Sequence, residues 1–149
     1  VAYCTQADIE RTLPRQLLVQ LTDDSDMPET VDQVVLDGLI EDAGEVIEGY
    51  LRERYVLPLE PAPKLLTKLA VDLVVFALYG RRPETHGEPP KQVLESWRQA
   101  FKTLEHIQNG KVTLGATGQP DPEVKSAVIR VNKTPEDRIF GGGFLEKYR

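Results

Sequence analysis

The sequence predicts a mainly α-helical fold: a compact bundle of three long helices, with short N-terminal helices before it and an extended, β-hairpin-like C-terminal arm after it. Three observations predict this. Apolar residues recur at helical spacing in three long windows. Proline clusters separate the windows at points where a helix cannot continue. Helical periodicity then stops at Gly110, and glycine, proline and short β-branched runs take over. The helical domain is expected over residues 1–110 and the arm over residues 111–149.

At the N-terminus, Thr5 can cap a short helix. Asp8, three residues on, gives the spacing of a capping box, with Asp in place of the usual Glu. Ile9 and Leu13 form the buried side of this helix. Pro14 breaks it or starts the next, in which Leu17, Leu18 and Leu21 are the apolar positions. Residues 22–30 are polar, with four acids and Pro28, and read as a loop.

The first long helix follows. Val31, Val34, Val35, Leu39, Ala43, Val46, Ile47, Tyr50, Leu51 and Tyr55 recur at helical spacing, and Asp32, Asp37, Glu41, Asp42, Glu45 and Glu48 coat the rest. Acids come early and Arg52 and Arg54 late, the order a helix dipole favours. Gly38, Gly44 and Gly49 each cost roughly 1 kcal/mol relative to Ala inside a helix, so three of them suggest close approach by a neighbour. Pro58, Pro61 and Pro63 make residues 57–63 a stiff, extended connector, with Pro63 suited to the first turn of the next helix.

Between residues 65 and 79 only Thr67, Lys68 and Asp72 are polar, which marks a central core helix that Gly80 can end. Lys68 and Asp72 are spaced for an ion pair, and Lys64, Lys68 and Asp72 read as a narrow stripe facing solvent. After a loop at residues 81–88, Pro89 and Pro90 lead into the third long helix. Its buried stripe is Val93, Leu94, Trp97, Ala100, Phe101, Leu104 and Ile107, and Gly110 is its left-handed cap. Beyond it, Val112 and Leu114 can alternate in a short strand, and residues 127–131 are a second β-like run. Gly141, Gly142 and Gly143 make a joint before the apolar ending.

Charge is distributed unevenly. The net charge is −6, but residues 1–60 carry −10 and residues 61–149 carry +4. Such polarity suits head-to-tail packing of identical subunits, and the acidic total speaks against strong nucleic-acid binding. No uncharged apolar run of about 18 residues exists to cross a membrane. The single Cys4 has no partner for an internal disulfide.

Signals for chemistry are weak. A nucleophilic site would have to use Cys4 with His86 or His106, which no local pattern joins. Two isolated histidines and one cysteine give no zinc spacing. The run Asp23-Asp24-Ser25-Asp26 starts like a calcium loop but lacks the glycine and the distal glutamate such a loop needs. The expectation is therefore no catalytic residue, no metal and no cofactor.

Three segments carry a resemblance through their order and spacing. They are residues 47–59 (Ile47-Glu48-Gly49-Tyr50-Leu51 through Arg54-Tyr55-Val56-Leu57-Pro58-Leu59), residues 69–80 (Leu69-Ala70-Val71-Asp72 through Leu78-Tyr79-Gly80), and the helix from Trp97 to Gly110 followed by Lys111-Val112-Thr113-Leu114-Gly115. The opening Tyr3-Cys4-Thr5-Gln6-Ala7-Asp8-Ile9 and the ending Arg138-Ile139-Phe140 with Phe144-Leu145 agree with it. The chain resembles a family of Mu-like phage and prophage structural proteins that is similar to head–tail neck adaptors.

This resemblance implies a non-enzymatic connector in the virion neck, present in the host cytoplasm during assembly. It would form a ring of about twelve subunits between the portal protein and a tail-completion protein, with DNA passing through without specific binding. On that reading Phe140, Phe144, Leu145 and Tyr148 are the partner-binding anchors, and Asp23, Asp24 and Asp26 are an acidic loop facing the channel. The rival expectations are a tail terminator or virion assembly factor, a small helical protein-binding regulatory module, and a small enzyme built from scattered carboxylates.

Overall fold

A computed structural model describes residues 2–25, 27–81 and 87–115 of the chain. Five helices appear among the described residues: α1 (Gln6–Glu10), α2 (Arg15–Thr22), α3 (Gln33–Leu51), α4 (Lys64–Gly80) and α5 (Lys91–Gln108). The fold is mainly helical, as the periodicity predicts.

Local chemistry sets most boundaries. The Asp8 carboxylate accepts from the Thr5 backbone N–H at 2.9 Å and from the Thr5 hydroxyl at 2.7 Å, fixing the start of α1. Pro14 and Pro63 occupy the N-cap positions of α2 and α4, and Pro90 that of α5. Asp32, expected on the helix surface, is instead the N-cap of α3. Its side chain accepts from the backbone N–H groups of Val34 and Val35 at 3.0 and 3.2 Å. At the end of α5, Gly110 adopts φ +77°. The Gly110 N–H donates to the Ile107 carbonyl at 3.1 Å and the Lys111 N–H to the His106 carbonyl at 2.8 Å, the two bonds of a Schellman cap.

Helix α4 is the centre of the bundle and touches each of the other four helices. Nine of its residues are buried, including Leu66, Val74 and Leu78 at 0% exposure. Each large aliphatic side chain buried in this way contributes roughly 1.5–3 kcal/mol. Helix α5 adds Ala100, Leu104 and Ile107 to the core. An aromatic row joins α3, α5 and α4: Tyr50 meets Phe101 edge-on at 6.1 Å, Phe101 meets Trp97 edge-on at 5.0 Å, and Trp97 stacks on Phe76 at 4.5 Å.

Several expectations need correction. The buried stripe of α3 is Leu36, Ile40, Ala43, Ile47 and Leu51, whereas Val34 is 84% exposed and Val46 lies toward solvent. Apolar residues occur on more than one face of α3, and packing against α2, α4 and α5 selects which face is covered. A side chain added at Gly38 or Gly49 would meet nothing within 4 Å among the described residues, so no described neighbour approaches there, and Gly44 alone of the three glycines is buried. Thr22 ends α2 rather than opening the loop, and it is fully buried. The connector 57–63 is non-helical and carries cis peptide bonds before Pro58 and Pro61, while Leu59 is buried in the core. Val112 and Leu114 form no strand; residues 111–115 run irregularly, and these two side chains pack against the bundle. Residues 127–131, 141–143 and most of the arm lie outside the described residues.

Candidate assembly surfaces

The bundle has two chemically different ends, each held by an arginine reaching from another helix. At one end lies the acidic loop at residues 23–31. The Thr22 hydroxyl donates to the Leu18 carbonyl at 2.8 Å and accepts from the Asp32 N–H at 3.2 Å, so it joins the end of α2 to the cap of α3. Arg81, just past α4, donates through Nη1 to the Leu21 carbonyl at 2.8 Å and to the Thr22 carbonyl at 3.3 Å. Its Nη2 donates to the Asp24 carboxylate at 3.0 Å. A cation placed on the free carbonyls of α2 both satisfies them and complements the helix dipole. The loop's root is therefore fixed. Asp23 folds back on the Ser25 N–H at 2.9 Å, and hydrogen bonds from Ser25, then Glu29, hold its carboxyl below the usual range. It stays ionised. Met27, an apolar side chain in this acidic setting, is 82% exposed.

At the other end Arg54, past α3, donates to the Ile107 carbonyl and packs its guanidinium over Gly110, where an added Cβ would sit 3.4 Å from Cζ. The same guanidinium lies 5.6 Å from the centre of the Tyr55 ring. The Tyr55 hydroxyl in turn accepts from the Leu114 N–H at 3.3 Å. The two late arginines of the first long helix were expected to serve its own dipole; Arg54 instead caps α5.

These contacts fix directions. The C-terminal ends of α3 and α5 lie together, and the C-terminal end of α4 lies with the start of α3. Helix α3 therefore runs antiparallel to α4 and parallel to α5. The acidic loop and the exit of the chain at Gly115 sit at opposite ends, separated by the length of α3, roughly 28 Å.

Of the predicted site residues, Asp23 and Asp24 are on the surface at the first end. Asp26, Phe140, Phe144, Leu145 and Tyr148 lie outside the described residues, as does His86. Cys4 is 4% exposed, and burial, reinforced by the nearby Asp8 charge, pushes its thiol up to about 11. At neutral pH it is a thiol, a core side chain rather than a nucleophile. His106 is exposed on α5. Among the described residues no three His, Cys, Asp or Glu side chains gather in a way that could hold a metal, and no helix is long and apolar enough to cross a membrane.

Lys68 and Asp72 form the expected ion pair at 2.7 Å, but not as a solvent stripe: Asp72 is only 13% exposed while Lys68 is 68%. Asp72 lies at a groove of about 320 Å3 formed by the α1–α2 turn, the second half of α4 and the start of α5. Neither this groove nor the two arginine caps carries a local signal in the sequence. Arg81 meets carbonyls 59 and 60 residues away, and Arg54 meets one 53 residues away.

Comparison with known proteins agrees with the resemblance read from the sequence. The family model described as Bacteriophage Mu, Gp36 matches residues 3–133. Gene product J of Escherichia phage Mu is 29% identical over 113 residues, covering 76% of this chain and 76% of that protein. The Mu-like prophage FluMu protein gp36 of Haemophilus influenzae is 27% identical over 111 residues, covering 73% and 74%. The family match takes in the whole helical bundle, both arginine-capped ends and the first part of the arm, and the chain belongs to the Bacteriophage Mu Gp36 family.

Proposed function

We propose that this protein is a structural head–tail connector of a Mu-like phage or prophage, a neck adaptor whose copies form a ring between the portal and a tail-completion protein. The observation that carries the reading is the polarity of the bundle within a chain of the Mu Gp36 family: an anchored acidic loop at one end and the departure of the arm at the other. A connector must present different chemistry in two directions, and a head-to-tail ring needs two different surfaces on each subunit. In this reading Phe140, Phe144, Leu145 and Tyr148 anchor the arm on the portal, since buried aromatic and aliphatic side chains carry most of the energy of an interface. Asp23, Asp24 and Asp26 face the channel, where negative charge keeps DNA from adhering.

The test is cosedimentation of the protein with the portal ring of its own phage, with and without residues 133–149. Binding that requires those residues supports the portal-docking adaptor. Absence of binding by either form removes it and leaves a tail terminator or another assembly factor as the reading to pursue.

A further inference from the structure

The outer face of α3 has features that nothing among the described residues uses. Glu41 and Glu45 are exposed one turn apart, and neither makes an ion pair or hydrogen bond among the described residues. Val34 is 84% exposed and Val46 39% exposed on the same helix. Gly38 and Gly49 each cost roughly 1 kcal/mol relative to Ala inside a helix, yet no described residue of the chain approaches either. Open glycines and uncovered valines beside unpaired acids fit a second helix that comes close and brings cations.

The chain itself carries such a helix. The outer face of α5 presents Arg98 and Lys102, both exposed and one turn apart. The in-chain pair of Arg98 with Glu95 is loose, at 3.7 Å between exposed side chains, and does not hold the guanidinium. Helices α3 and α5 run parallel and end together. Glu41 and Glu45 lie ten and six residues before Leu51, the end of α3, and Arg98 and Lys102 lie ten and six residues before Gln108, the end of α5. Both pairs therefore stand at the same heights, roughly 15 and 9 Å from the C-terminal ends at helical rise. A rotation about an axis parallel to the helices changes no height. It brings Glu41 level with Arg98, and Glu45 level with Lys102, of the next copy. Of the acids on α5, Glu95 stands level with Gly38, where there is room for it. Glu105 stands level with Glu48, which is half-buried and accepts from the Tyr3 hydroxyl.

We propose that the outer face of α3 docks a second copy of this chain through the outer face of its α5, parallel and in register, with Glu41 on Arg98 and Glu45 on Lys102. The two faces differ, so the contact is head-to-tail and repeats from copy to copy. Its closure into a ring rests on the connector reading; the pairwise contact does not. In such a ring every acidic loop lies on one rim and every Gly115 on the other.

The test is carbodiimide cross-linking of the full-length protein at low salt, which joins a carboxylate to a lysine amine only where the two touch, followed by peptide mapping of the two-chain product. The wild-type protein is expected to link Glu45 to Lys102 between chains. Glu41→Lys with Glu45→Lys, or Arg98→Glu with Lys102→Glu, should each lower the yield of two-chain product about tenfold, and molar salt should do the same. An equimolar mixture of the two variants should recover the yield, with the link again between positions 45 and 102, and recovery also shows that both variants are folded. Absence of a two-chain product, a product mapped to other surfaces, yields that the exchanges leave unchanged, or a mixture that recovers nothing each overturn the proposal. The assay contains no portal, so its failure leaves portal docking by a single subunit standing, and loss of portal binding leaves this contact standing.

Discussion

Replacing Arg81 with alanine tests how the acidic loop is held. Three hydrogen bonds leave with the guanidinium: two to the last carbonyls of α2 and one to Asp24. The Arg81 side chain is 22% exposed and Asp24 is 48% exposed, so the ion pair is well screened and contributes at most about 0.5 kcal/mol. Hydrogen bonds from a charged donor to the carbonyls of the buried Leu21 and Thr22 are worth more, about 1.5 kcal/mol in total. Complementing the helix dipole adds roughly 0.5 kcal/mol. Arg81→Ala is therefore expected to destabilise the fold by about 2 kcal/mol, a fall in Tm of about 4–8 °C for a chain of this size. Asp24→Asn should lose no more than about 0.5 kcal/mol, and the coupling in a double-mutant cycle should be equally small. Urea denaturation followed by far-UV circular dichroism gives these values. A protease that cuts after acidic residues should cleave residues 23–29 faster in Arg81→Ala than in Asp24→Asn. If Arg81→Ala costs under about 0.5 kcal/mol, or its effect vanishes in molar salt, Arg81 is an ordinary surface ion pair and the anchored-loop argument fails.

Two further outcomes follow from local geometry and titration. Gly110→Ala forces an L-residue into φ +77° beneath the Arg54 guanidinium and should cost about 1–2 kcal/mol, whereas Gly38→Ala, on an open helical face, should gain up to about 1 kcal/mol; paired urea titrations check the opposite signs. Burial pushes the Cys4 thiol up from 9.0 to about 11, and burial with the Glu48 charge beside it pushes the Tyr3 hydroxyl up from 10.0 to about 12. Both are acids whose neutral form the fold favours. Their contribution is fully present below pH 9 and is lost as pH rises, first through the Cys4 window of 9 to 11 and then through the Tyr3 window of 10 to 12. The urea midpoint should be flat near neutrality and fall above pH 9, and Cys4→Ala should remove the first part of the fall.

What the sequence made legible was local. The Thr5–Asp8 box, the prolines that open α2, α4 and α5, the Gly110 cap and the Lys68–Asp72 pair each depend on residues within one turn of each other, so spacing alone announces them. The central helix was legible because it is apolar around nearly its whole circumference, which leaves only one place for it. The face of α3 was not: Val34 and Val46 fit a helical period as well as Leu36 and Ile40 do, and only the neighbours decide between them. The same holds for polar residues. Nothing near Thr22, Arg54 or Arg81 in the sequence differs from ordinary surface positions, yet each satisfies backbone groups in an element remote from its own. Asp72 combines both cases, since its pair with Lys68 is local while the groove it lines is made by three separate segments.

The separation of the two ends makes the connector proposal testable in halves. Roughly 28 Å of α3 lies between Asp24 and Gly115, several Debye lengths at physiological ionic strength, so charge changes in the loop are screened before they reach Gly115. Asp23→Asn with Asp24→Asn should therefore leave cosedimentation with the portal unchanged while altering DNA retention or ejection in assembled particles. Removal of residues 133–149 should do the reverse at the assembly step and abolish portal binding before DNA passage is ever at issue. Neutralised acids with unchanged retention and ejection would remove the channel-facing role of the loop and leave the arm's role standing. Loss of portal binding in the neutralised protein would show that the loop is itself a docking surface, and the division of labour between the two ends would have to be given up.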